Sequence, residues 1–353
     1  MTVRALAVMA MLAAAPVHAA PPDELAAASV IFARGDTLYR SDGRGKQETI
    51  VATLPAKVVV RALRSDAAGN VLLADLGGKW HWMAVGGSKL VPLACGDGPA
   101  QLAEDGACVL CRNPKLASGS ILINLKTNQV TPVAIPTPGA RLITTPARKL
   151  VWTDAGGVWT APPADLRHKT RVAAEAPLRS FIASPDGTRA FGTYNDYLYE
   201  GARKKVPAEL LMAFALDGTG ARRKAVQHGV PIDWSHDGQY LLVQDGSAAC
   251  LVRATGGQYK CWKGFTAVSL APDGSYALVL GNRDGSRQKS DKADDDDKAA
   301  EDDGDSDSDD DVPVPLPTGE LALYAAKLAG PYSLAPKLVT KVVDGAALWL
   351  PKP

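Results

Sequence analysis

The chain has 353 residues, 46% of them hydrophobic, and a net charge of +1 from 39 basic and 38 acidic side chains. That hydrophobic share excludes a disordered chain, and the near-neutral total gives no general attraction to nucleic acid. Glycine (33) and proline (25) recur along the whole length, favouring many short strands joined by turns over long helices.

The first twenty residues read as a signal peptide. Arg4 precedes an apolar run from Ala5 to Ala15, Pro16 ends it, and Val17-His18-Ala19 gives the small-x-small pattern of a cleavage site. The run is too short to span a bilayer, which needs about 20 residues. No cysteine near the cut marks a lipid anchor. Residues 21–28 are then a short linker, and the expected fold occupies 29–353 as a soluble, exported unit without a transmembrane segment.

The mature chain opens on three strand-like runs, Ser29–Phe32, Thr37–Tyr39 and Thr49–Ala52. A repeat follows. Its clearest copies are Ser184-Pro185-Asp186-Gly187, Ser235-His236-Asp237-Gly238 and Ala271-Pro272-Asp273-Gly274, each flanked by apolar strands. Proline presets the first turn position, Asp bonds back to its own backbone, and Gly takes the left-handed position, so each copy is a hairpin. Weaker copies stand at Asp66, Asp105 and Ala147. Counted at the aspartate or its equivalent, the markers fall at 66, 105, 147, 186, 237 and 273, with steps of 39, 42, 39, 51 and 36. That is the length of a four-stranded propeller blade. Two further strand-like runs follow each hairpin, which predicts strands A to D in every repeat.

The chain ends on a spare strand, Ala346–Leu350. A propeller needs its first and last blades locked together, because an open ring exposes sheet edges. The spare strand supplies the A strand that the first blade lacks. The predicted fold is therefore an all-β propeller of seven four-stranded blades closed by the C-terminal strand, with six blades as the alternative.

Five cysteines lie at 95, 108, 111, 250 and 261. Cys250 and Cys261 flank Thr255-Gly256-Gly257 almost symmetrically and are expected to pair across a hairpin. Cys108 and Cys111 share one strand on opposite faces, so they do not bridge each other, and Cys95 pairs with one or the other. Trp152, Trp234 and Trp349 lie inside apolar strands and are expected in the core, as are Trp80 and Trp82.

The marker with its apolar strands, above all Trp234-Ser235-His236-Asp237-Gly238, resembles the WD40-like β-propeller repeat of TolB-like proteins. The resemblance implies a periplasmic or secreted scaffold that binds other proteins through one face of the disc. Unlike TolB, this chain has only about ten residues between signal and first strand, too few for an N-terminal α/β domain.

No catalytic motif stands out. There is no Gly-x-Ser-x-Gly elbow and no glycine-rich phosphate loop, and the histidines are dispersed. His236 fills a turn slot that is proline elsewhere and reads as an exposed turn residue. No cofactor is expected. The function read from the sequence is a monomeric, non-enzymatic scaffold for an envelope protein partner. The alternative is an enzyme or small-ligand binder using the central channel.

One segment breaks the pattern. Residues 291–311 carry thirteen acids and two lysines, a net of −11, inside a solvated acidic insertion at 286–318 of the last blade. The acids of 303–309 alternate as in calcium loops, but the glycine and closing glutamate of such loops are missing, which leaves calcium as a weak alternative. The longest repeat carries Arg203, Lys204 and Lys205. Both insertions fall between strands B and C, so both emerge on one face, where the basic residues are the expected partner-binding rim and the acidic arm screens them.

Overall fold

The computed structural model describes residues 24–282 and 321–350, apart from 116–118, 137–139, 145–147, 175–176, 178, 201–203, 220, 228, 272–273, 329–335 and 342. The segment expected to be a signal peptide and the acidic insertion lie outside the described residues, as does Arg203. Part of the linker is described: Glu24–Ala27 form one helical turn, α1.

Among the described residues twenty-eight strands follow one another in groups of four. After α1 come β1 (Ser29–Arg34), β2 (Thr37–Asp42) and β3 (Thr49–Thr53), which form blade 1 with a strand from the far end. Blade 2 holds β4 (Val60–Ser65), β5 (Val71–Leu76), β6 (Lys79–Ala84) and β7 (Val91–Pro92). Blade 3 holds β8 (Ala100–Leu102), β9 (Cys108–Arg112), β10 (Ser120–Asn124) and β11 (Val130–Val133). Blade 4 holds β12 (Arg141–Ile143), β13 (Lys149–Asp154), β14 (Gly157–Ala161) and β15 (Thr170–Ala173). Blade 5 holds β16 (Arg179–Ala183), β17 (Arg189–Glu200), β18 (Lys204–Ala215) and β19 (Arg222–Gln227). Blade 6 holds β20 (Val230–Trp234), β21 (Tyr240–Asp245), β22 (Ala248–Arg253) and β23 (Gln258–Lys263). Blade 7 holds β24 (Thr266–Leu270), β25 (Tyr276–Asn282), β26 (Leu321–Lys327) and β27 (Lys337–Lys341), and the last strand is β28 (Ala347–Leu350).

Each group is one antiparallel sheet, and there are seven. The sheet of blade 1 runs β28-β1-β2-β3, with Ser29 opposite Leu350 and Phe32 opposite Ala347. The ring thus closes through the C-terminal strand as the sequence predicts, and six blades are excluded. The seam is reinforced at the surface. Arg34 on β1 donates to both oxygens of Glu48, at 2.9 and 3.0 Å, and to the Thr340 hydroxyl of β27 at 2.7 Å.

The hydrophobic core is divided into seven, one cluster between each pair of neighbouring blades. Val30 and Phe32 of β1 join the cluster with blade 7, while Ile31 and Ala33, pointing the other way, join the cluster with blade 2. Both faces of the strand are buried, so the period-2 alternation of side chains serves two cores at once. This is why the second strand of each blade reads as an uninterrupted apolar run rather than an alternating one. Trp152, Trp234 and Trp349 each fill one of these inter-blade clusters. Trp80 is buried with them, whereas Trp82 is only partly so.

The marker residues do the turn chemistry expected of them. In blade 5, Asp186 Oδ1 accepts from the Ser184 hydroxyl at 2.6 Å and from the Thr188 N–H at 3.0 Å; in blade 6, Asp237 repeats this with Ser235 and Gln239. The serine hydroxyls accept in turn from the first N–H of the next strand, Arg189 and Tyr240. Gly187 and Gly238 both sit at φ +66°, where a side chain would be strained.

One marker is displaced from its expected slot. The Asp66 side chain accepts from the Val71 N–H at 2.8 Å, and its own N–H bonds to Val71 O. Those are the bonds that Ser184 and Ser235 make. Asp66 therefore holds the serine position of its turn, and Ala68, before Gly69, holds the aspartate position.

The cysteines resolve as two disulfides, Cys95–Cys111 and Cys250–Cys261, with Cys108 a buried free thiol. Cys111 points into the cluster between blades 2 and 3, against which Cys95 packs. Cys108 points the other way, into the cluster between blades 3 and 4. The opposed faces of one strand decide the pairing.

Candidate functional site

The innermost strands of the seven blades are β28, β4, β8, β12, β16, β20 and β24, and all seven line one cavity of about 140 Å³ on the ring axis. Most of the lining comes from the C-terminal ends of these strands and from the marker turns that follow, so the cavity lies toward the marker-turn face. In four of the blades the innermost strand holds one more residue than its partner, a bulge at or near Arg61, Ser180, Ile232 and Val268. Such bulges turn the strand and re-aim the side chains that follow.

With the turns aligned on their hydrogen bonds, the position two residues before each turn reads Arg64, Gln101, Ile182, Asp233 and Ser269 in blades 2, 3, 5, 6 and 7. All five line the cavity. The position just after the turn's first residue reads Glu104, Pro185 and His236, and these form the mouth.

The mouth is bridged. Arg141 Nη2 lies 2.6 Å from Glu104 Oε1, and His236 Nδ1 lies 3.2 Å from Glu104 Oε2. Blades 3 and 6 stand on opposite sides of the ring, so the Glu104–His236 contact crosses the opening. His236 is thus no exposed turn residue: its side chain is 31% exposed and is committed to the channel mouth. The proline slot places it there, because the residue after the first turn position faces the axis.

Two charges lie in the cavity. Asp233 Oδ2 accepts from the Leu270 N–H at 2.8 Å, which ties blade 6 to blade 7. Burial holds its carboxyl above the ordinary carboxylate range; the Leu270 N–H and the guanidiniums of Arg64 and Arg141 oppose this only in part. Arg64 is surrounded by protein, yet its surface stays open to the channel itself. Loss of bulk water lowers its pKa, and the Arg141 charge adds to this against the attraction of Asp233. Among the described residues no carboxylate forms an ion pair with Arg64.

The residues singled out in the sequence fall elsewhere. Cys250 and Cys261 join β22 to β23 within blade 6. Lys204 and Lys205 begin β18 opposite Glu200 and Tyr199, so the extra residues of the long repeat lengthen two paired strands rather than forming a loose loop. These are strands B and C of blade 5, and Lys204 and Lys205 lie at the opposite end of the blade from the marker turn and the channel mouth. The described residues contain no helix long and apolar enough to cross a membrane.

Fold and channel together define a seven-bladed β-propeller with a bridged polar mouth. No family model matches the chain, and no curated protein is significantly similar to it. Among solved structures it is similar to TolB from Acinetobacter baumannii, at 13% identity over 65% of this chain and 61% of that one, with a TM-score of 0.45. It is similar also to the dihydro-heme d1 dehydrogenase NirN in complex with DHE, at 17% identity over 92% and 75%, TM-score 0.49. A third is Kluyvelomyces marxianus Hsv2, at 10% identity over 70% and 83%, TM-score 0.46. The match spans less than two thirds of TolB, and at these identities the likeness is one of fold.

Proposed function

We propose that the chain is an exported, TolB-like propeller that acts as a non-enzymatic scaffold in the cell envelope and takes a protein partner on its marker-turn face. The observation that supports this best is the bridged mouth. Arg141, Glu104 and His236 turn the end of the channel into a polar floor continuous with the turns around it, a surface suited to a partner's backbone and side chains. The signal-peptide pattern and the two disulfides agree with an oxidising compartment outside the cytoplasm.

The test is site-specific photo-crosslinking in cells. Asn70 and Gln239 follow the turn glycine in blades 2 and 6 and are exposed on the marker-turn face; Ala155 and Ser247 are exposed in B–C turns on the other face. A photoreactive residue at either of the first two positions is expected to trap the same envelope protein, with little or none from the last two. Equal trapping from both faces refutes the assignment of the binding face.

A further inference from the structure

Arg64 and Asp233 hold the same place in their blades, and blades 2 and 6 lie across the axis from each other. The channel therefore carries a guanidinium on one wall and a carboxyl on the facing wall. Both are ringed by protein, and both keep part of their surface open to the cavity. Each feels the other's field, yet among the described residues no ion pair joins them. Opposite charges taken out of bulk water usually close into contact, because their attraction is what offsets the loss of hydration. Here the scaffold holds them apart: Arg64 stands on β4, and Asp233 is tied the other way, accepting from the Leu270 N–H of blade 7 at 2.8 Å.

The other charges at the cavity are already matched. Arg141 is paired with Glu104, and His236 meets the second oxygen of that carboxylate. Arg64 and Asp233 are left, one of each sign. Burial raises the Asp233 carboxyl above its ordinary range, a cost that a cation beside it would relieve. The space between the two walls is about 140 Å³, room for several waters or for one small solute. Ser65 and Gln101 add polar side chains to the same lining. A lone anion would answer Arg64 and leave Asp233, and a lone cation would do the reverse. A solute that carries both signs answers both walls at once.

We infer that the channel cavity binds a small polar zwitterion of the α-amino-acid class, its carboxylate on Arg64 and its ammonium on Asp233. The guanidinium fork matches the two oxygens of a carboxylate. An α-amino acid bears both charged groups on one carbon, which keeps it compact enough for the cavity; a peptide separates them. The link across the mouth joins two side chains, Glu104 and His236, which a rotamer change parts. The site lies inside the ring and does not depend on the scaffold reading, which concerns the marker-turn face.

Titration calorimetry on the full chain at neutral pH tests it. The probes are glycine and serine, with acetate, which keeps the carboxylate alone, and glycinamide, which keeps the ammonium alone. At least one of the two amino acids is expected to bind about tenfold or more tightly than acetate and than glycinamide. Arg64→Gln, checked for folding by its melting temperature, is expected to weaken that amino acid about tenfold or more. Asp233→Asn keeps an acceptor for the Leu270 N–H; it is expected to weaken the amino acid by a similar factor and to leave acetate no weaker. Acetate or glycinamide binding as tightly as the amino acids, no binding of glycine or serine, or a folded variant that binds them as the wild type does overturns the inference. The comparison among probes is made on the wild type, so it decides the matter even if a variant fails to fold. The photo-crosslinking pattern reports on the scaffold reading alone, so the two ideas fail separately.

Discussion

The closing strand places much of its hold on the ring in one side chain. Trp349 on β28 is 2% exposed, packs in the cluster shared with blade 7, and has its ring 6.0 Å from that of Tyr276. A tryptophan buries roughly 200 Å², which at about 25 cal/mol per Å² is about 5 kcal/mol. The extended-chain reference makes that an upper figure, so Trp349→Ala is expected to cost about 3–5 kcal/mol. Trp349→Phe keeps most of the packed area. It also removes an indole N–H that has no acceptor, a burden of about 1–3 kcal/mol, and so should cost under about 1.5 kcal/mol. Urea denaturation separates the two, with Trp82→Ala, at a partly buried site, as a milder control. If Trp349→Ala also frees β28 in the native state, the slope of free energy against denaturant falls, because less surface remains to be exposed. A cost below about 1 kcal/mol for Trp349→Ala, or equal costs for Ala and Phe, refutes the reasoning.

Asp233→Asn keeps the acceptor for the Leu270 N–H and removes the charge. A carboxyl whose folded pKa is raised contributes most below its unfolded pKa, and that contribution is lost as the pH climbs through the folded value. The Asn variant should therefore gain on the wild type between about pH 4 and pH 7 in urea melts, and a constant difference across that range contradicts the raised pKa. The disulfides close segments of 16 and 11 residues by sequence separation, and loop entropy assigns each about 3 kcal/mol, so Cys95→Ser and Cys250→Ser should each lower the denaturation midpoint. Thiol counting in denaturant without reductant should find one reactive cysteine in the chain, Cys108; three would disprove one of the bridges. Deleting residues 291–311 removes a net −11 from a chain whose other residues sum to +12, and should strengthen retention on an anionic matrix at low salt. The effect should fade as the screening length shrinks to about 10 Å near 0.1 M, and unchanged retention would sink the idea of a screening arm.

The ring was legible in the sequence because its signals are local. The clearest markers set serine or alanine, aspartate and glycine at fixed offsets, and Cys250 and Cys261 flank a two-glycine turn that sets them opposite each other. The closure was legible because the first three strands and the last one each lack what the other supplies. The pairing of Cys95 was not, since the choice between Cys108 and Cys111 depends on which core each strand face meets. The channel was hidden for a more instructive reason. Arg64 and Asp233 lie inside short apolar runs, and their kinship appears only when the turns are aligned. Taking Asp66 for the turn aspartate shifts blade 2 by two residues, which sets Arg64 opposite Ser184 instead of Ile182 and Asp233. An aspartate and a serine can both accept from the next strand's first N–H, and sequence pattern does not distinguish which slot is filled. His236 was misjudged by its turn alone, because the side across the channel that it touches comes from Glu104, three blades away.

The pairing of β1 with β28 also sets an order in time. Blades 2 to 7 are each built from consecutive strands and can form their sheets as soon as their own strands are present. Blade 1 cannot: its innermost strand is delivered only after every other blade has been made, and the contact between Ser29 and Leu350 is among the least local the chain contains. Pairings of such long range are slow to form. Until then the inner edge of β1, with Val30, Ile31 and Phe32, waits without its neighbour, an open strand of the kind that recruits other chains. Folding should accordingly show a late, slow phase reported by Trp349, and the span before that phase is when the protein is most exposed to aggregation.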